Sequence, residues 1–150
     1  MSVLNFVKEP KTRVYCKELE ERAIEFHGHG GPFMIVGLRM GLSALNHLDA
    51  KGWFGLNCVV KLNWAPPDSC VIDGIQSSTG CTMGKRNIQV DEMNGVSACF
   101  SFKKNEVTLT VREDVLMKIK SVFDEGDEVV NHYMDWLTEA DESLLFEVVL

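Results

Sequence analysis

Apolar and polar positions follow two rhythms along this chain, and the switches between them outline helical flanks around a central sheet. Over residues 11–26, Tyr15, Leu19, Ala23 and Phe26 recur at helical spacing while Glu18, Glu21 and Glu25 lie off the stripe. The break Gly28-His29-Gly30-Gly31-Pro32 ends that helix. Pro32 suits the first turn of a second helix, running to about residue 50 with Met34, Leu38, Leu45 and Leu48 as its apolar stripe. Gly37 and Gly41 inside it cost helix stability, and their spacing implies close approach of another backbone. Strict alternation of Leu56, Cys58, Val60, Leu62 and Trp64 with mostly polar neighbours then predicts a strand, ended by Ala65-Pro66-Pro67. Asp68 or Ser69 can cap a short third helix through Thr79, with Gly80 as its left-handed C-terminal cap.

The period of two returns at residues 88–92, 96–103 and 106–111, which read as an antiparallel meander whose first turn is Asn94-Gly95. Two acid-started helices follow at 113–123 and 125–137, the second with Val129, Tyr133 and Trp136 as its expected buried stripe. Residues 144–150 are expected to form a short docked strand. Helices at both ends and a mostly antiparallel sheet between them place the chain in the α+β class. No repeat or linker composition divides residues 1–150, so one domain is expected.

Composition narrows the functional classes. The sequence is 45% hydrophobic and 25% charged, ordinary for a globular protein, and 15 Lys and Arg against 22 Asp and Glu leave a net charge of −7. Such a charge repels a phosphate backbone, so nucleic acid is not an expected partner. No apolar run reaches the roughly 20 residues of a membrane span, and the first ten residues lack a signal peptide's pattern. The expectation is a cytoplasmic protein without membrane contact. Five widely spaced cysteines suit a reducing compartment, where a special cysteine is a ligand or nucleophile.

Two clusters could carry chemistry. His27 and His29 flank a single glycine in a loop whose other glycines let the backbone curl around an ion. In the predicted third helix, Cys70 stands in the first turn, where the helix dipole is expected to lower its thiol pKa. Asp73 and Ser77 share its face, and Cys81 lies just past the cap, from where it could fold back. Two imidazoles and two thiolates suit zinc and other borderline or soft transition metals, although small buried cysteines are an equally good reading of Cys70 and Cys81. Asp73, Gln76 and Thr79 are candidates to hydrogen-bond the ligands, and Lys85 to attract an anion. The run Gly80 to Arg86 is not a Walker loop, because its glycines are too closely spaced and Arg86 stands where a magnesium-binding hydroxyl belongs.

These residues carry a resemblance. His27-Gly28-His29 with Pro32, the run Gly37-Leu38-Arg39-Met40-Gly41, then Asp73-Gly74-Ile75-Gln76 and Thr79-Gly80-Cys81-Thr82 with Gly84, Lys85 and Asn87, are similar to the E-subunit family of formylmethanofuran dehydrogenase. The resemblance covers about residues 26–87 and implies an α+β fold and a metal site drawn from His27, His29, Cys70 and Cys81. Family members commonly read His-Gly-His-x-Cys-Pro-Gly, whereas Gly31 and Phe33 occupy the cysteine and last glycine positions here. Many relatives add a cysteine-rich zinc ribbon, and with no cysteine after Cys99 this chain resembles the core alone.

The expected function is therefore a metal-binding accessory subunit or stand-alone relative, with zinc as the expected ion, linked to one-carbon or molybdenum/tungsten enzyme metabolism. The alternative is a small metal-dependent enzyme with an open coordination position. A thiol redox protein is disfavoured by the lack of Cys-x-x-Cys. No catalytic residue is assigned. Besides the metal, the expected partners are a small-molecule or anionic ligand, a second copy in a homodimer, and a larger enzyme complex.

Overall fold

The computed structural model describes residues 9–150, so the N-terminal stretch read for a signal peptide lies largely outside the described residues. Its centre is a helix that is apolar all round. After α1 (Lys17–His27), α2 (Pro32–Leu48) buries nearly every side chain of its first four turns, from Phe33 to Leu45, as expected of a helix enclosed on all sides. Strand β1 (Leu56–Leu62) follows, then α3 (Cys70–Thr79), β2 (Ile88–Glu92), β3 (Ser97–Phe102) and β4 (Asn105–Val111). The chain continues through α4 (Glu113–Phe123), α5 (Asp127–Glu139), the single turn α6 (Glu142–Leu145) and β5 (Phe146–Val149).

The architecture is α+β, with helices on both the N- and C-terminal sides of a mostly antiparallel five-stranded sheet in the order β2-β1-β3-β4-β5. Cys58, Phe100 and Val107 pair across three strands, as do Val60, Ala98 and Leu109. All six are buried on the face that α2 covers.

The glycines of α2 do what their spacing predicts. A Cβ on Gly37 would stand 2.1 Å from the Val71 carbonyl oxygen, and one on Gly41 would meet Ser78. Gly74 makes the reciprocal approach, 2.2 Å from the Met34 carbonyl. Contacts that advance together along both helices mean that α2 and α3 run parallel, with their N-termini at the same end.

Four expectations are corrected. The first helix starts at Lys17, because Lys11 and Arg13 are tied instead to the end of α2 and the turn that follows it. The Lys11 amide donates to Lys51, Arg13 donates to Ala50 and pairs with Asp49 at 2.8 Å, and Asn46 donates to Arg13. Phe26, expected on the buried stripe, is exposed. Strand β2 does not form a hairpin with β3 through Asn94-Gly95. It pairs parallel with β1, as a strand–helix–strand crossover through α3 requires. In α5, Leu137 is buried while Val129 and Trp136 are exposed, so the helix is rotated relative to its expected stripe. Arg39 on α2 holds the end of that helix by donating to the carbonyls of Leu137 (2.7 Å) and Ala140 (2.6 Å).

Candidate metal centre

Because α2 and α3 run parallel and α1 ends immediately before α2, three helix ends converge. They bring His27, the last residue of α1, His29 in the connecting loop, and Cys70, the first residue of α3, to one place. One donor atom from each lies within 4.8 Å of the others. A tetrahedral ion with bonds of about 2.0–2.3 Å holds its donors roughly 3.3–3.8 Å apart, so the three side chains must draw together to close on one ion, and His29 is exposed and free to turn.

His27 is the anchor. Its side chain is 11% exposed, and its Nδ1–H donates to Asp73 Oδ2 at 2.5 Å. The opposite nitrogen, Nε2, is buried and has no hydrogen-bond partner among the described residues. A carboxylate holding one imidazole nitrogen while the other is left free is the arrangement that orients metal-bound histidines. In His29, Nδ1–H donates to the Gly30 carbonyl at 3.1 Å, which likewise leaves Nε2 available. The two rings lie with centroids 4.6 Å apart, tilted by 42°.

The Cys70 thiol departs from expectation in its acidity. Burial, then the carboxylates of Asp73 and Asp68, push its pKa up and outweigh the lowering by its own backbone N–H. Cys81 stands apart from the cluster. The ten residues of α3 separate it from Cys70 by about 15 Å, and its buried thiol faces the Leu56 carbonyl at 3.5 Å. Burial raises its pKa as well.

Gln76 and Thr79 are also turned elsewhere. Gln76 Oε1 accepts the Met83 amide, while Thr79 Oγ1 donates to Ile75 and accepts the Cys81 amide. Lys85 donates to the Gly80 carbonyl beyond the far end of α3.

A cavity of about 440 Å³ opens against His29 and Cys70. Phe33 and Met134 give it apolar wall, and Asp127 and Asn131 of α5 give it polar groups. Sequence reasoning missed these α5 residues, although Asp127, Asn131 and Met134 lie at i, i+4 and i+7 on one helix face. No helix among the described residues is long and apolar enough to cross a membrane.

Known proteins agree with this fold. A crystal structure of a tungsten formylmethanofuran dehydrogenase FmdE-like protein from Syntrophus aciditrophicus matches with a TM-score of 0.67, covering 89% of this chain and 70% of that one at 20% identity. That is a likeness of fold. A probable S-adenosyl-L-methionine-binding protein of Archaeoglobus fulgidus is 33% identical over 99 residues, 62% of this chain and 23% of that protein. This chain thus spans less than a quarter of that curated relative's length. The model of the family described as FmdE, molybdenum formylmethanofuran dehydrogenase operon, matches residues 26–147, from the residue before His27 into the last strand, and the chain belongs to the FmdE family.

Proposed function

We propose that this chain binds one transition metal ion, zinc by preference, through His27, His29 and Cys70. In that role it would serve as an accessory subunit, or stand-alone relative, of a formylmethanofuran dehydrogenase. The observation that carries the metal reading is the buried, unpartnered Nε2 of His27, opposite a nitrogen fixed by Asp73. An unsatisfied buried polar atom costs about 1–3 kcal/mol, and a coordinate bond removes that cost. Two imidazoles and a thiol are a donor set that zinc favours, and a coordinated thiol loses its proton even where its neighbours raise its pKa. The link to one-carbon, molybdenum or tungsten enzymes is supported by family membership.

A second reading, a small metal-dependent enzyme, is favoured by the cavity beside the donors. Three protein ligands leave a fourth position, where a bound zinc ion polarises a water or carbonyl oxygen. Around it Asp73 orients His27, Phe33 and Met134 exclude water, and Asp127 and Asn131 offer hydrogen bonds to a small ligand.

Elemental analysis of protein purified without added metal tests the site. About one ion per chain is expected, and loss of that ion in His27→Ala. Wild-type protein that takes up no zinc, or a variant that keeps its full content, overturns the metal reading. Co-purification with the other components of a formylmethanofuran dehydrogenase separates an accessory from a stand-alone role.

A further inference from the structure

Much of the second sequence motif has no part in the histidine and cysteine cluster. Gly80, Thr82 and Lys85 instead line a groove of about 260 Å³ along the seam between α1 and the far half of α3. Its foundation is a close stack. Gly80 is left-handed (φ 76°), and a Cβ there would stand 2.6 Å from the Trp53 ring. Trp53 itself holds φ 71°, a conformation that costs a bulky residue on the order of 1–3 kcal/mol and persists only where the surroundings enforce it.

Three hydrogen bonds enforce it. The Trp53 amide donates to Thr79 O at 2.9 Å, Asn87 Nδ2 donates to Trp53 O at 3.1 Å, and the indole N–H donates to Glu9 O at 3.3 Å. Asn87 Oδ1 also accepts the Thr82 amide, and Thr82 Oγ1 accepts that of Lys85, which ties the turn carrying Lys85 to the same frame.

What this frame gathers is positive charge. Lys11, with its ammonium 4.2 Å from the centre of the Trp53 ring, Arg22 and Lys85 all line the groove. No Asp or Glu does so among the described residues, and the ion pairs found there involve none of the three cations. Burial, then the charges of Arg22 and Lys85, lower the Lys11 pKa to about 8. In a chain of net charge −7, three cations lining one groove with no carboxylate among its described lining residues are a specific local arrangement. An arginine fork with two ammonium groups matches a multiply charged tetrahedral anion better than a single carboxylate. Phe26, exposed at the rim, adds an apolar surface.

We propose that this groove binds a phosphorylated small molecule, with its phosphate groups on Lys11, Arg22 and Lys85 and its organic part against Phe26. The proposal is independent of the metal centre, and its test uses the full chain dialysed against a chelator, so that metal-bound phosphate does not contribute. Calorimetric titration at low salt with inorganic pyrophosphate and with ADP is expected to show binding of both, ADP more tightly. Affinity should fall at least tenfold in Arg22→Gln and in Lys11→Met. Arg22 is solvent-exposed, so its variant keeps the fold, which circular dichroism checks. Absence of binding by either probe, or equal affinity in the variants, overturns the site. ADP binding no more tightly than pyrophosphate overturns the place given to Phe26.

Discussion

The two ends of α3 hold opposite chemistry on one frame. At the N-terminal end, electron-pair donors gather around Cys70, with Asp73 in the first turn. Beyond the C-terminal end, cations gather around Gly80, and Lys85 donates to a helix-end carbonyl. This sorting follows the helix dipole, which favours negative side chains at the start and positive ones at the end. The contrast teaches that charge sign and partner status, rather than residue type alone, distinguish a metal centre from an anion groove. One end has a buried nitrogen lacking a partner beside a carboxylate, and the other has positive charges with no carboxylate among the described residues that line it.

The most damaging way to break the comparison is to separate α3 from α2. In Gly37→Ala the added methyl would meet the Val71 carbonyl, which belongs to helix backbone and cannot swing aside. A loss of about 3 kcal/mol or more is expected in denaturant unfolding, with zinc and pyrophosphate binding impaired together. Loss of one binding activity alone would show that the two ends do not depend on a common frame. Next comes the cysteine contrast. Cys70→Ser should abolish stoichiometric zinc by elemental analysis, while Cys81→Ser should retain it, because the Cys81 thiol faces Leu56 at the opposite end of the helix. Equal loss in both variants would bring Cys81 back into the ligand set.

A subtler change sharpens the metal end. Asp73→Asn keeps the shape but replaces the carboxylate that accepts the His27 Nδ1–H. A loss of roughly 10- to 100-fold in zinc affinity is expected from competition with a chromophoric chelator. Unchanged affinity would reduce Asp73 to a helix-start residue.

How much of this was legible in the sequence differs between the two ends. Gly37 and Gly41 announced a backbone contact, and the structure supplies α3 as the other helix. The loop histidines and Cys70 were visible because their residue types are few and chemically specific. Cys81 was read as able to fold back to the cluster, although ten helical residues already span about 15 Å. The parallel pairing of β2 was misread as part of an antiparallel meander, because Asn94-Gly95 gives a strong local hairpin signal and the partner strand lies beyond α3 in sequence.

Two features were not legible. Helix α5 carries two apolar stripes one residue out of phase, Val129-Tyr133-Trp136 and Val130-Met134-Leu137. The Arg39 bonds to the end of the helix, from about one hundred residues away, accompany the choice of the second. The cationic groove joins Lys85, which the sequence offered as an anion candidate, to positions 11, 22 and 53 and a left-handed tryptophan, which no local pattern reveals.

The smallest expected effect sharpens the cationic end through pH. Lys11 has its pKa lowered to about 8 in the folded chain against an ordinary 10.5, first by burial and then by the charges of Arg22 and Lys85. Between those two values the unfolded chain holds more protons than the folded one, so stability rises with pH across that window. Below about pH 8 the charged Lys11 opposes folding in full, and above about 10.5 the opposition is gone. The Lys11→Met variant lacks this dependence, although it also loses the ammonium contact with the Trp53 ring. The difference in unfolding free energy between wild type and variant should therefore grow in favour of wild type from pH 8 to pH 10.5. Saturating pyrophosphate should flatten that slope, because a bound anion restores the charged form of Lys11. A difference independent of pH would mean that Lys11 keeps an ordinary pKa, neither half-buried nor crowded by Arg22 and Lys85 as the groove requires.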